Sequence, residues 1–255
     1  MTIKELFKDK PKNLLNIYVT AGFPRLNSLT EIIPALSDSK VNIIEIGIPY
    51  SDPLSDGPTI QKSNMKALDN GITLDLIFEQ LKEINTDVPL VLMGYFNSML
   101  QYGIDNFVQQ CTEAGVSGLI IPDLPIEIYL RDYKEILDEN GLSNIFLVTP
   151  NTTEERLQLI DQHSNSFIYA VSSSSTTGNN KEVDSAAAYL QKLKSQNLST
   201  PFLVGFNIRN KENFQFVNQY ASGGIIGSAF INHIADSNNL SVDTKAFVNS
   251  IIESS

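Results

Sequence analysis

In the stretch EIGIPYSDPLSDGPTIQ, from Glu45 to Gln61, two carboxylates stand in unequal surroundings. Glu45 interrupts the apolar run Ile43, Ile44 and Ile46, and strand alternation puts it on one face with Ile43 and Gly47. A carboxylate in an apolar site either finds a partner or stays protonated with a raised pKa, and such a group serves as acid or base near neutral pH. Asp56 follows in a loop of turn formers, Pro49, Ser51, Asp52, Pro53, Gly57 and Pro58, too long for a tight connection. One buried and one mobile carboxylate suit proton transfer. The residues alone leave bland alternatives open. Glu45 could be a structural acid, although no Lys or Arg falls inside any run that reads as a strand. Asp56 could belong to an Asp-Gly turn with Pro58 opening the next helix.

The elements that would position these groups alternate along the chain. Strands read as Leu14 to Val19, Asn42 to Ile48, Leu90 to Tyr95, Gly118 to Ile121, Ile145 to Val148, Phe167 to Val171, Phe202 to Phe206 and Gly223 to Ile226. Helical patterns separate them, after a short polar-faced helix at the N-terminus. Capping boxes are expected at Ser28 with Glu31 and at Thr152 with Glu155. Eight such units close into a (β/α)8 TIM barrel with an extra N-terminal helix, and 255 residues without a composition break suit a single domain over 1–255. In a barrel the site lies at the C-terminal ends of the strands. Glu45, Asp56 and Asp123 all fall there, the last as either a polar rim or a cap. So does the polar run Ser172 to Asn180, which reads as a closing lid or a plain connection.

Composition narrows the chemistry. A net charge of −11 with no basic cluster disfavours nucleic acid and anionic membranes as partners. One cysteine, two histidines and no long apolar run leave no disulfide, little for a metal site and no membrane span, so a cytoplasmic protein is expected. Cys111 repeats with Ile104, Phe107 and Val108 at helical spacing and reads as core, and His233 reads as packing or surface. Gly227 and Ser228 open directly into a helical stretch after the last strand, where barrels commonly hold phosphate. Carbon–carbon cleavage in barrels often uses a Schiff-base lysine or a histidine-held metal, and neither occupies an inward strand position here. Carboxylate proton transfer remains. The segment Tyr95 to Tyr102, rich in aromatics and methionine, is a docking surface or local packing.

The motif EIGIPYSDPLSDGPTIQ, together with Ile17 to Thr20, LIIPDLP, Tyr169 and the GSA at Gly227, resembles the tryptophan synthase alpha chain family over nearly the whole sequence. The resemblance implies retro-aldol cleavage of indole-3-glycerol phosphate to indole and glyceraldehyde 3-phosphate. It implies that Glu45 and Asp56 are catalytic, Glu45 protonating indole C3 and Asp56 accepting from the indole N–H. It also implies substrate contacts from Tyr18, Tyr95, Tyr169, Thr177, Gly178 and Phe206, with Thr177 pairing to Asp56. Phosphate would lie against Gly178, Gly205, Asn207, Gly227 and Ser228. No metal or cofactor is implied in this chain. Pyridoxal phosphate would belong to a partner beta subunit in a hetero-tetramer of two alpha and two beta chains, docked on Pro49, Pro53, Asn97, Leu100 and Pro125.

The match departs from the family's GFGIS at Asn207 and Arg209. Asn tolerates positive φ, but its side chain is expected to crowd the anion and weaken phosphate binding unless Arg209 compensates. Ser98 and Ser175 also replace a common proline and a frequent glycine. Three other readings stay open: a sugar-phosphate isomerase or cyclase, a non-catalytic activating subunit, and a lyase that works alone. The first should show paired barrel aspartates, an Asp/Cys pair or a catalytic lysine, and none is present.

Overall fold

The computed structural model describes residues 1–171, 180–205 and 207–252. Strands β1 (Leu14–Thr20), β2 (Ile43–Gly47), β3 (Leu90–Met93), β4 (Val116–Ile120), β5 (Ser143–Ile145), β6 (Leu147–Val148), β7 (Ile168–Val171), β8 (Phe202–Gly205) and β9 (Gly223–Ile226) form one parallel sheet, ordered β5-β4-β3-β2-β1-β9-β8-β7-β6. The expected fifth strand is broken at Phe146. Its first half pairs with β4 and its second with β7, and Tyr169 N–H donates to the Phe146 carbonyl at 2.9 Å. The break therefore turns the chain from one neighbour to the other and closes a (β/α)8 barrel, with two segments filling one strand position.

Alternation sorts the strand side chains into two cores. Leu14, Ile43, Val91, Ile120, Ile145, Phe167, Leu203 and Ile225 point into the barrel, while a larger cluster fills the space between strands and helices. The barrel's lower end is closed by helix α1 (Ile3–Asp9), whose Ile3 and Leu6 join the inner cluster and whose Phe7 ring lies 5.7 Å from Phe167. Burying each such side chain contributes about 1.5–3 kcal/mol. The helix expected to be polar-faced thus buries an apolar stripe, and a capping box between Thr2 and Glu5 fixes its start.

Both expected capping boxes differ. Ser28 bonds back to the Arg25 backbone and caps nothing, because it already has helical φ and ψ. The later helix begins one residue beyond expectation, with Thr153 accepting from Arg156 N–H while Thr152 accepts from Thr149 N–H. The apolar segment after β3 is a short helix, Phe96–Tyr102, and Asp123 caps it from the β4 loop by accepting from Phe96 N–H at 2.8 Å. His163 is the last residue of the helix after β6 and is half-buried.

Candidate active site

The inward residues change character one step above the apolar layer. On β1, Asn16 and Tyr18 follow Leu14 inward, and on β2, Glu45 and Gly47 follow Ile43, with Tyr18 level with Glu45 in the parallel register. Glu45 is fully buried, and that burial pushes its carboxyl up to about 8. Asn16 opposes the shift, its Nδ2–H donating to Glu45 Oε2 at 3.1 Å, whereas the nearby Asp56 charge adds to it. Glu45 Oε1 has no hydrogen-bond partner among the described residues. An acid so placed holds its proton at neutral pH and has one oxygen free to deliver it.

Asp56 sits on the loop between β2 and the helix Pro58–Asp69. That loop is tied by Asp56 N–H to the Pro53 carbonyl at 3.0 Å and by Gln61 Nε2 to the Asp56 carbonyl at 2.9 Å. Burial raises its carboxyl to about 6, two units below Glu45, so the two carboxyls are poised for opposite roles between those values. Tyr95 holds the same loop, its hydroxyl accepting from Ser55 N–H at 3.0 Å while its ring stacks on Tyr50 at 4.9 Å. A narrow cleft lies beside Asp56, lined by Tyr18, Ile48, Asp56, Asn64, Tyr95 and Pro122 among others.

Two glycines exist to make room for two phenols. The Tyr18 hydroxyl lies over Gly47 and the Tyr169 ring over Gly205, where an added Cβ would stand 2.0 Å from the Tyr18 hydroxyl oxygen and 2.3 Å from Tyr169 Cε1. Both phenols stay protonated, since burial and then the facing carboxylates hold their pKa values well above the ordinary tyrosine range. Tyr18 also passes beside Gly227, whose Cβ position would be 3.4 Å from the Tyr18 Cβ. Gly205 and Gly227 therefore stand at the same end of the barrel, with exposed Ser228 opening the helix Ser228–Ile234. Asn207 takes φ 29°, and its Oδ1 accepts from Arg209 Nε at 2.7 Å.

Not every expected residue fits its expected place. Pro49 and Pro53, expected on a docking face, are buried in this chain, whereas Leu54 between Pro53 and Ser55 is 90% exposed. Asn97, Leu100 and Pro125 are exposed as expected. Phe206 and residues 172–179 of the lid run, Thr177 and Gly178 among them, lie outside the described residues. Cys111 is buried core, and His233 packs on Phe247 with Nε2 3.1 Å from the Asp243 carbonyl. Asn16 and Asn64 were not anticipated. An amide two residues before Tyr18, inside an apolar run, was the available signal for Asn16.

This arrangement coincides with a known family. Residues 5–253 match the family model described as tryptophan synthase alpha chain. The chain belongs to the tryptophan synthase alpha chain family. The alpha chain of Flavobacterium psychrophilum is 51% identical over 228 residues, covering 88% of this chain and 90% of that one, and that of Parabacteroides distasonis is 47% identical over 232 residues, covering 90% of each. The crystal structure of the alpha subunit from Legionella pneumophila superposes with a TM-score of 0.87 at 33% identity, covering 98% of this chain and 95% of that one. A chain of tryptophan synthase from M. tuberculosis, in its aminoacrylate-bound form, gives a TM-score of 0.85 at 29% identity, covering 98% and 100%. The tryptophan synthase alpha chain is a carbon–carbon lyase of tryptophan biosynthesis that cleaves indole-3-glycerol phosphate.

Proposed function

We propose that Glu45 and Asp56 carry this cleavage as a pair. Glu45 gives its proton to indole C3, which breaks the ring's aromaticity and places positive charge on the ring nitrogen. Ionised Asp56 accepts from that N–H and stabilises the charge where it develops. The bond from C3 to the glycerol carbon then breaks, its electron pair restores the indole ring, and the adjacent hydroxyl returns a proton to Glu45 as the aldehyde forms. One proton leaves Glu45 and one comes back. The observation that carries this reading is the unlike state of the two carboxyls, one buried and held protonated, the other half-buried and more readily ionised.

Tyr18, Tyr95 and Tyr169 line the indole end. Gly205, Asn207, Gly227 and Ser228 receive the phosphate. The chain itself uses no cofactor. Its partner is a beta subunit that holds pyridoxal phosphate and receives the indole, two copies of each forming the assembly, in the cytoplasm. Among the described residues no helix is long and apolar enough to cross a membrane. Leu54, Asn97, Leu100 and Pro125 form the docking face, and Leu54 and Leu100 are its exposed apolar members.

The test is indole release from indole-3-glycerol phosphate, with and without a beta subunit, beside a Glu45→Gln control. Slow release, accelerated by the partner and lost in the variant, is expected. Absence of release under both conditions overturns the reading.

A further inference from the structure

We infer that Asn16 is a positioning residue that fixes one oxygen of Glu45, so that the other oxygen, Oε1, is the atom that passes the proton. The inference rests on the reading of Glu45 as the acid and adds which atom works and what holds it. Asn16 and Glu45 are both fully buried, and the bond from Asn16 Nδ2 to Glu45 Oε2 is 3.1 Å. The register sets Asn16 opposite Ile43, one inward step below Glu45, so the carboxyl is gripped from its apolar underside. The titratable groups that face Glu45 are Asp56 from the loop after β2, Tyr18 from β1 and Tyr169 from β7. The inward layer beneath, Ile43, Val91 and Ile120, offers no donor.

The pairing is incomplete on both sides. Glu45 Oε1 and Asn16 Oδ1 each lack a partner among the described residues, although both atoms are buried. An unpaired buried acceptor costs stability, and a substrate bound above Glu45 would supply the partner that Oε1 lacks. Fixing Oε2 removes the carboxyl's rotation and leaves Oε1 at a constant orientation, and proton transfer falls steeply once the reacting atoms are misplaced by about 1 Å.

Asn16→Leu keeps the branching and removes the donor, and Asn16→Ser is too short to reach. In both, kcat for indole release is expected to fall on the order of 10²-fold with KM within about twofold. The alkaline limb of the pH profile is expected to move upward, because the lost bond favoured the carboxylate. Thermal melts separate a folding defect from the kinetic effect. An active wild type with unchanged kcat and an unmoved alkaline limb in both folded variants overturns the inference. An inactive wild type overturns the assignment of Glu45 as the acid, and the inference falls with it.

Discussion

The hydroxyl of Tyr18 lies over the α-carbon of Gly47, so close that a methyl group on that carbon would stand 2.0 Å from the phenolic oxygen. Gly47→Ala therefore has to displace Tyr18 from the level of Glu45. A loss of about 1–3 kcal/mol in urea denaturation is expected, with most of the lyase activity. Adding Tyr18→Leu should return stability without returning activity, which separates the space from the function.

Between the two carboxyls lies a working window in pH. Asp56 must be ionised and rises into use through about 6, whereas Glu45 must be protonated and falls out of use through about 8. The profile of kcat/KM, which reports the free enzyme, is expected to be a bell with limbs near those values. Asp56→Asn should abolish the acid limb along with most of the rate. A flat profile across the window would refute the division of roles.

Stability should carry the same signature. The Glu45 carboxyl titrates higher in the folded chain than its unfolded value of 4.5, so its contribution is fully present below 4.5 and is lost as pH rises through about 8. Glu45→Gln has nothing to titrate. The variant's stability relative to wild type is therefore expected to grow by a few kcal/mol between about pH 5 and pH 9, measured by denaturant unfolding at each pH.

The phosphate end offers a test by a smaller residue. Asn207 takes φ 29°, in the left-handed region that favours glycine, and its side chain holds Arg209. Asn207→Gly is expected to lower KM for indole-3-glycerol phosphate severalfold with little change in kcat, by emptying the space beside the anion. Steady-state kinetics decide it, and an unchanged KM would remove the crowding idea.

Leu54 carries the partner's side of the problem. It is 90% exposed at the tip of the loop that also holds Asp56. Leu54→Asp is expected to cut the acceleration by a beta subunit about tenfold while leaving cleavage by the chain alone intact. Titration of indole release with the beta subunit measures both.

Much of this was legible without coordinates because alternation is a strong rule. A carboxylate on the face of Ile43 and Gly47 had to point inward, and eight strand-helix units had one economical closure. What escaped were relations between strands. Asn16 meets Glu45 through the pairing of β1 with β2, and no local pattern encodes that register. Pro49 and Pro53 looked like surface turn residues, yet the loop folds them inward and presents Leu54 instead. The break at Phe146 was hidden because both halves are apolar, and only closure of the ring requires it.

The N-terminal helix has a bearing on traffic as well as on stability. With Ile3, Leu6 and Phe7 stoppering the lower mouth, the barrel is a well rather than a pipe. On the proposed reading, substrate enters and indole leaves at the opposite end, beside the loop that carries Asp56 and Leu54, and a partner that is to catch the indole before it escapes to bulk water would stand there.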